Sequence, residues 1–350
     1  MHPLIKRNVK RAKLVYLWIT RILLAKSHFK VPLHTRLRYA IFGGFVADQY
    51  VLYDLKRNSR SEYLSEFDWY RSRWINEPFD SMLNNKIVCN EVLEDHVDVP
   101  PILFVKNKGR LFSTDRPESK RPISEVVASL REHGAMFLKP LGSGKGKGVH
   151  RLDAAEGGFM IDRRPATERE VIAFLEDQDG WFLSLGVEQH PVLSTIFPET
   201  TNTIRLITMR DPETGAARVF FAVLRIGTAA TIPVDNGSRG GLVSLIDLEE
   251  GTLSAARPLW SPGEFSTHPD SGEQIEGVEL PGWRIAKQRI LDVAGRFPYL
   301  QFVAWDVLLT EQGPCVIEAN TSSGVNIIQM WGAQRQGELG DFYRAHGVIK

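Results

Sequence analysis

The sequence predicts an α+β protein. Apolar runs of strand length recur in pairs around turn residues, at 203–226 and at 301–319. Stretches of helical period occupy 124–133, 168–176 and 283–297. Both stand behind some eighty residues whose aromatic and charged spacing suits helices alone. The 350 residues include 43 Lys+Arg and 42 Asp+Glu, a formal charge of +1, with 43% hydrophobic and 24% charged residues. Those proportions supply a sizeable core and exclude a disordered chain. The charge balance excludes a generally polybasic nucleic-acid binder or an acidic tail protein. Two cysteines, Cys89 and Cys315, give neither a disulfide framework nor a CxxC pair. They imply a reducing, cytoplasmic setting.

The N-terminal region, 1–79, is read as basic and helical. Residues 14–25, LVYLWITRILLA, are interrupted by Thr20 and Arg21. They fall short of the roughly 20 apolar residues of a membrane span, and no signal-peptide cleavage pattern follows. In a helix, Lys13, Tyr16, Thr20 and Ser27 share a polar face opposite Leu14, Val15, Trp18, Ile22 and Ala25, with Lys6, Arg7, Lys10 and Arg11 preceding the helix. Residues 1–47 hold ten Lys+Arg and no Asp or Glu, which leaves the remaining chain at −9. Residues 1–30 are then either a peripheral anchor on the anionic inner membrane surface or a helix packed on its own protein. The second is the commoner fate of an amphipathic helix. Tyr50, Tyr53, Phe67, Trp69, Tyr70 and Trp74 extend the helical region without recognisable chemistry.

The middle part, 80–187, opens with a helix at Asn84-Asn85-Lys86, carried by Ile87, Val88, Val92 and Leu93 and stopped by Pro100-Pro101. A strand at 102–105 follows. Pro122 and Gly134 bracket the helix at 124–133. Strands at 136–139 and 149–152 flank a glycine-rich turn, and 159–161, a helix at 168–176 and a strand at 181–187 complete the unit. The C-terminal part, 188–350, begins with the hairpin around Asp211-Pro212-Glu213-Thr214-Gly215. A strand at 242–247, a surface loop at 261–282, the helix at 283–297 and the hairpin around Glu311-Gln312-Gly313-Pro314 follow. A helical end starts near 326.

Two local patterns carry chemistry. In Gly142-Ser143-Gly144-Lys145-Gly146-Lys147-Gly148 side chains are nearly absent from alternate positions. Backbone N–H groups can approach an anion there, and the lysines add charge, as a polyphosphate requires. The GxxxxGK[ST] and GxGxxG spacings both fail, and the turn joins two strands. A basic hairpin tip is the alternative. In the last hairpin, Asp306 lies on one apolar strand, and Glu318 and Asn320 on its neighbour. Asp306 and Glu318 can oppose each other, while Glu318 and Asn320, two apart, share a face. Two carboxylates and an amide, without His or Cys, suit Mg²⁺ rather than zinc. A solvated polar stripe is the alternative.

Together, Lys86 opening a helix, Lys139 in Phe137-Leu138-Lys139-Pro140, the glycine-rich hairpin and D-x₁₁-E-x-N over Asp306, Glu318 and Asn320 resemble the ATP-grasp enzymes across about residues 80–335. Asn202 to Thr208, Leu224-Arg225-Ile226-Gly227, Asp235-Asn236 with Gly240-Gly241, and His268-Pro269-Asp270 are similar to the sugar-transfer-associated ATP-grasp family, related to α-L-glutamate ligases. The resemblance implies an ATP-grasp fold of two α+β subdomains clasping ATP. It implies Lys86 and Lys139 on the phosphates and the loop of Gly142, Ser143, Gly144, Lys145 and Gly146 as lid. It implies Asp306, Glu318 and Asn320 on Mg²⁺, while Glu188, before Gln189-His190-Pro191, either binds the ribose or faces solvent. The implied reaction is ATP- and Mg²⁺-dependent carboxylate–amine ligation through an acyl phosphate, adding an amino acid to a glycan precursor or peptide. Phosphotransfer on the same fold, or nucleotide binding without turnover, are the alternatives. The planar forks of Arg205 and Arg225 suit a carboxylate or acyl phosphate. Asn236 and Arg239 are expected at the acceptor side, with a plain glycine-rich turn as the alternative, and Ser322 and Ser323 near substrate. His190 and His268, each before Pro, are expected to be structural. No nucleic acid is expected as partner.

Overall fold

The structure is a computed structural model that describes residues 3–116, 120–142 and 148–350. Helix α1 spans Pro3–Trp18 and runs into a π-helical turn, Ile19–Leu23. The basic residues expected ahead of the helix lie on it, because Pro3 at the first position pre-sets φ and lacks only an N–H that would be unpaired anyway. α2 (Leu33–Gly43), α3 (Ala47–Leu52) and α4 (Glu66–Ser72) follow. A capping box starts α4: Ser65 Oγ accepts from Asp68 N–H, and the Asp68 carboxylate accepts from Ser65 N–H.

α1 packs through Leu14, Leu17 and Trp18 against Ile22, Ala40 and Tyr70. Trp18 Nε1 donates to Ala40 O at 3.2 Å, and Lys10 pairs with Glu77. One face of this helix therefore lies on its own protein. Val15, expected on that face, is exposed, and Leu17 takes its place. The π-turn carries Ile22 round relative to a straight helix and so moves the packed seam. No helix of the described residues is long and apolar enough to cross a membrane.

α5 (Asp80–Asn84) and α6 (Lys86–Leu93) come next. Asn85 caps α6, its Oδ1 accepting from the N–H groups of Ile87 and Val88. The helix stops at Leu93, short of Pro100, where the N–H groups of His96 and Val97 turn back onto Leu93 O. Leu83, Cys89, Leu93 and Val97 join the core of the C-terminal sheet. This segment thus packs with the C-terminal part, not with the glycine-loop unit that follows it in sequence.

Strands β1 (Ile102–Asn107) and β2 (Arg110–Ser113), helix α7 (Ser124–His133), strands β3 (Ala135–Pro140), β4 (His150–Ala155), β5 (Gly158–Ile161) and β6 (Arg164–Ala166), helix α8 (Glu168–Asp177) and strand β7 (Trp181–Leu185) form one unit. Its antiparallel sheet runs β2-β1-β7-β3-β4-β5-β6. Val126, Leu130, Met136, Leu138, Leu152, Leu175 and Leu183 fill the layer between the sheet and α7 and α8. β2 and β6 were not expected, since neither carries an apolar run.

The second unit comprises α9 (Pro191–Ile196), β8 (Thr203–Arg210), β9 (Ala217–Ile226), β10 (Leu242–Leu245), β11 (Arg257–Pro258), α10 (Trp283–Arg296), β12 (Phe302–Thr310), β13 (Gly313–Asn320), α11 (Val325–Gln329) and α12 (Glu338–Ala345). The sheet order is β11-β10-β9-β8-β12-β13. On one face Trp283, Ala286 and Ile290 of α10 pack with Leu206, Trp305 and Val307. On the other, Ile207, Phe302 and Ala304 lie against Val325, Ile328, Leu339 and Phe342. Further along that second face the residues become charged.

Gly227 ends β9 where a Cβ would stand 2.1 Å from Thr200 Oγ1. Thr200 is buried, and its hydroxyl donates to Asn202 Oδ1, which also accepts from Gly227 N–H. Gly227→Ala should therefore cost about 1–3 kcal/mol. A urea midpoint equal to the parent's would contradict this close contact.

Candidate active site

Strand register assembles the site. Asp306 on β12 pairs with Glu318 on β13 and with Arg205 on β8. Ala304 pairs with Asn320, two positions along, so Asn320 is on the same face as Glu318. Thr203 pairs with Arg225 on β9, which puts Arg225 on the face of Arg205. A bulge next to Asp306 ends this regular pairing.

These residues line a cavity of about 610 Å³. The seven-stranded sheet supplies Phe137, Lys139, Phe182 and Ser184, and α6 supplies Lys86. The six-stranded sheet supplies Thr203, Arg205, Arg225, Asp306, Glu318 and Asn320. The cavity thus lies between the two sheets, with apolar walls and charges converging from both sides. Asn236, Ser322 and Ser323 also border it.

The charges are tightly organised. Arg205 Nε stands 2.6 Å from Asp306 Oδ1, and Arg205 Nη2 donates to Asp306 Oδ2 at 3.2 Å. Arg225 bridges two carboxylates: Nη2 lies 3.3 Å from Asp306 Oδ2, and Nε lies 3.5 Å from Asp235 Oδ2. Arg225 also donates to Thr203 Oγ1, at 3.1 Å from Nε. Asp235 Oδ2 accepts from Thr203 N–H at 2.9 Å and from its hydroxyl. Burial opposes the Arg225 charge, but Asp235, Asp306 and Glu318 outweigh it and hold the guanidinium above its ordinary value. Burial pulls the Lys139 ammonium down to about 8, helped by Lys86 and opposed by Glu318. Lys139 therefore feels the charges of both Lys86 and Glu318.

Among the described residues, nine buried side-chain nitrogen or oxygen atoms have no hydrogen-bond partner. Six of them belong to Trp69, Ser184, Arg205, Trp260, Asp306 and Ser323, all on this cavity. The short Arg205–Asp306 contact is an ion pair whose Nε and Oδ1 atoms are not aligned as a hydrogen bond. Buried polar groups are usually satisfied, so this concentration marks a surface built for a polar ligand.

The expected residues divide accordingly. Lys86, Lys139, Arg205, Arg225, Asn236, Asp306, Glu318 and Asn320 meet at the cavity. Arg239 does not: it ends a 3₁₀ turn, Gly237–Arg239, and is exposed. Glu188 is exposed beside Val187, which does line the wall. Gly142 is exposed just after β3. Ser143, Gly144, Lys145 and Gly146 lie outside the described residues. His190 caps α9, its Nδ1 accepting from Val192 N–H, and His268 Nε2 bonds Gly227 O at 2.8 Å, both structural roles. Sequence reasoning missed Glu66, Trp69, Thr203, Asp235 and Trp260 as wall residues. Only Asp235, an acid beside a glycine-rich turn, carried a local signal.

The donor set fits a hard divalent cation. Asp306 and Glu318 are register partners, and Asn320 is beside them on the same face. No cluster of three His, Cys, Asp or Glu side chains is arranged for a metal among the described residues. Two carboxylates and an amide suit an ion that also takes phosphate oxygens and water.

The family model described as "Sugar-transfer associated ATP-grasp" matches residues 69–338. No curated protein shows significant similarity to the chain. Among solved structures, the chain is similar to D-alanyl-alanine synthetase A from Vibrio cholerae, with 16% identity and a TM-score of 0.42 over 76% of this chain and 64% of that one. It is similar to an L-amino acid ligase from Bacillus licheniformis, with 12% identity and a TM-score of 0.38 over 74% and 45%. It is also similar to N5-carboxyaminoimidazole ribonucleotide synthetase from Thermotoga maritima, with 13% identity and a TM-score of 0.36 over 69% and 42%. The chain spans less than two thirds of the length of each. The family match covers most of the chain and both sheets that wall the cavity, and so this chain belongs to the sugar-transfer associated ATP-grasp family.

Proposed function

We propose that this protein is an ATP- and Mg²⁺-dependent carboxylate–amine ligase working through an acyl phosphate. The observation that carries the reading is the convergence of Lys86, Lys139, Arg205, Arg225, Asp306, Glu318 and Asn320 on one cavity between two sheets. Family membership supports the ATP-dependent part.

In this reading Lys86 and Lys139 hold the ATP phosphates, and Asp306, Glu318 and Asn320 would hold Mg²⁺. When bound, Mg²⁺ neutralises charge on the phosphoryl oxygens. A substrate carboxylate oxygen attacks the γ-phosphorus, the bond to the bridging oxygen breaks, and ADP leaves. An amine then attacks the acyl carbon, phosphate leaves, and the nitrogen loses a proton to solvent. Arg205 and Arg225 stand beside Asp306 on the sheet face, where their fixed charges can stabilise the acyl phosphate and the developing oxyanion. Asn236, on the cavity wall, is assigned to the acceptor side. The family description supports a glycan precursor as one class of acceptor.

Product analysis tests the reaction class. Incubation with MgATP and pooled amino acids and sugar acids should give ADP, free phosphate and a condensed product by mass spectrometry. A product that keeps the phosphoryl group would replace ligation with phosphotransfer.

Lys139 makes ATP binding pH-dependent. Its ammonium is charged below about 8 and loses the proton above it. Phosphates favour the charged form, so affinity should hold below that point and fall by up to about tenfold per pH unit above it. Lys139→Arg, charged throughout, should remove the fall. A flat parent profile through this range would remove Lys139 from the phosphates.

A further inference from the structure

The outer surface of the N-terminal helices has no role in the cavity. Along α1 and into the π-turn, Ile5, Val9, Ala12, Tyr16 and Ile19 succeed one another at steps of four, three, four and three, and all are exposed. That spacing makes one stripe. It lies opposite the seam of Leu14, Leu17 and Trp18 that packs on the protein. Tyr16 is 64% exposed and Val9 54%. On α2, Leu33, Leu37 and Ile41 recur every fourth residue and are exposed as well. Leu24 and Phe42 are 67% and 70% exposed.

These side chains are not scattered. Among the described residues, the large exposed apolar side chains beyond Val51 are Phe79, Val88, Ile285 and Tyr299, whereas eleven fall between Ile5 and Val51. Single exposed apolar residues need no explanation, but a concentration of them marks an interaction surface.

Charge identifies the partner. Residues 1–47 hold ten Lys+Arg and no acid, while the rest of the chain is acidic. Arg7, Arg11, Lys13, Arg21, Lys26, Lys30 and Arg38 are exposed. On the α1 wheel, Arg11 and Lys13 fall on opposite sides of the apolar stripe. A hydrophobic stripe with basic edges matches the boundary between acyl chains and anionic headgroups. An anionic leaflet would attract this face and repel the acidic body. Since no described helix is long and apolar enough to cross a bilayer, such a helix lies along the surface.

We propose that α1 and α2 dock the protein on an anionic lipid bilayer, with Ile5, Val9, Tyr16 and Ile19 at the acyl boundary and Arg11 among the headgroups. α1 then serves two contacts, one face on the protein and one on the membrane. The docking segment adjoins the cavity, because His28 stacks on Trp260 at 5.2 Å between ring centres, and Trp260 lines the cavity wall.

Flotation of the full-length chain tests this. Vesicles containing phosphatidylglycerol should carry at least about tenfold more protein than vesicles of phosphatidylcholine, and added salt should reduce the difference. The double variant Val9→Asp, Tyr16→Asp should lose that binding by about tenfold while keeping the parent's thermal midpoint, because both side chains are more than half exposed. Equal flotation of parent and double variant would overturn the proposal, as would no flotation with phosphatidylglycerol. A stable dimer in light scattering that the same double variant dissociates would also overturn it, since the stripe would then belong to a second copy.

Discussion

Glu318→Gln should lower ATP turnover by about 100-fold or more while the protein stays folded. Glu318 is the register partner of Asp306 and lies beside Asn320 on the cavity wall. The substitution keeps shape and removes one of the two acidic metal donors. Loss of a charge from such a site costs several kcal/mol of transition-state stabilisation, and about 1.4 kcal/mol corresponds to tenfold in rate. Glu318 is partly exposed, so the denaturation midpoint should move little. A second readout separates the metal role from a structural one. Glu318 favours the charged form of Lys139, so the pH at which ATP affinity begins to fall should move downward in this variant. Parental turnover in Glu318→Gln would remove the assigned metal site.

Arg225→Met should destabilise the fold by about 3–5 kcal/mol, the usual cost of stranding a buried charge partner. Arg225 lies between Asp235 and Asp306, both buried, and also bonds Thr203 Oγ1. Methionine fills the volume of the side chain but leaves two carboxylates close together. Burial already raises the Asp235 carboxyl, and Arg225 is the largest influence opposing that. Without it, the carboxyl rises further. A raised folded-state value favours protonation in the native protein, so the variant's deficit should be smallest in acid and grow as pH rises through that value. Urea titrations at pH 5.5 and pH 8 measure it. A loss below about 1 kcal/mol at both would mean that the arginine is not the electrostatic keystone of this face.

The two hairpins were legible in the sequence because short-range rules govern them. The turn from Asp211 to Gly215 and the turn before Cys315 fix register, and side chains two apart share a face. Those rules placed Asp306 opposite Glu318 and Asn320 beside it, as the pairing has it. Helices α7 and α8 were legible from Pro122 and Gly134, and from period. What depends on distant packing was not. Glu66 and Trp69, from a region without recognisable chemistry, reach the cavity because the N-terminal helices fold back beside the C-terminal sheet. Thr203 and Asp235 form a buried pair that no spacing announces. Arg239 looked like an acceptor-side residue from its place before Gly240-Gly241, but the 3₁₀ turn directs it to solvent. The doubly apolar character of α1 was half visible. One apolar face, for a membrane or for the protein itself, was legible, whereas the exposed stripe through Val9 and Tyr16 emerges once the seam through Leu17 is known.

The central claim is that the cavity between the two sheets binds ATP with its phosphates at Lys139. Calorimetric titration of MgATP into the parent and into Lys139→Ala tests it most directly. The account predicts one site per chain in the parent and an affinity at least about tenfold weaker in the variant at pH 7, where Lys139 is charged. Equal affinity in the two proteins, or no binding to the parent, would contradict it.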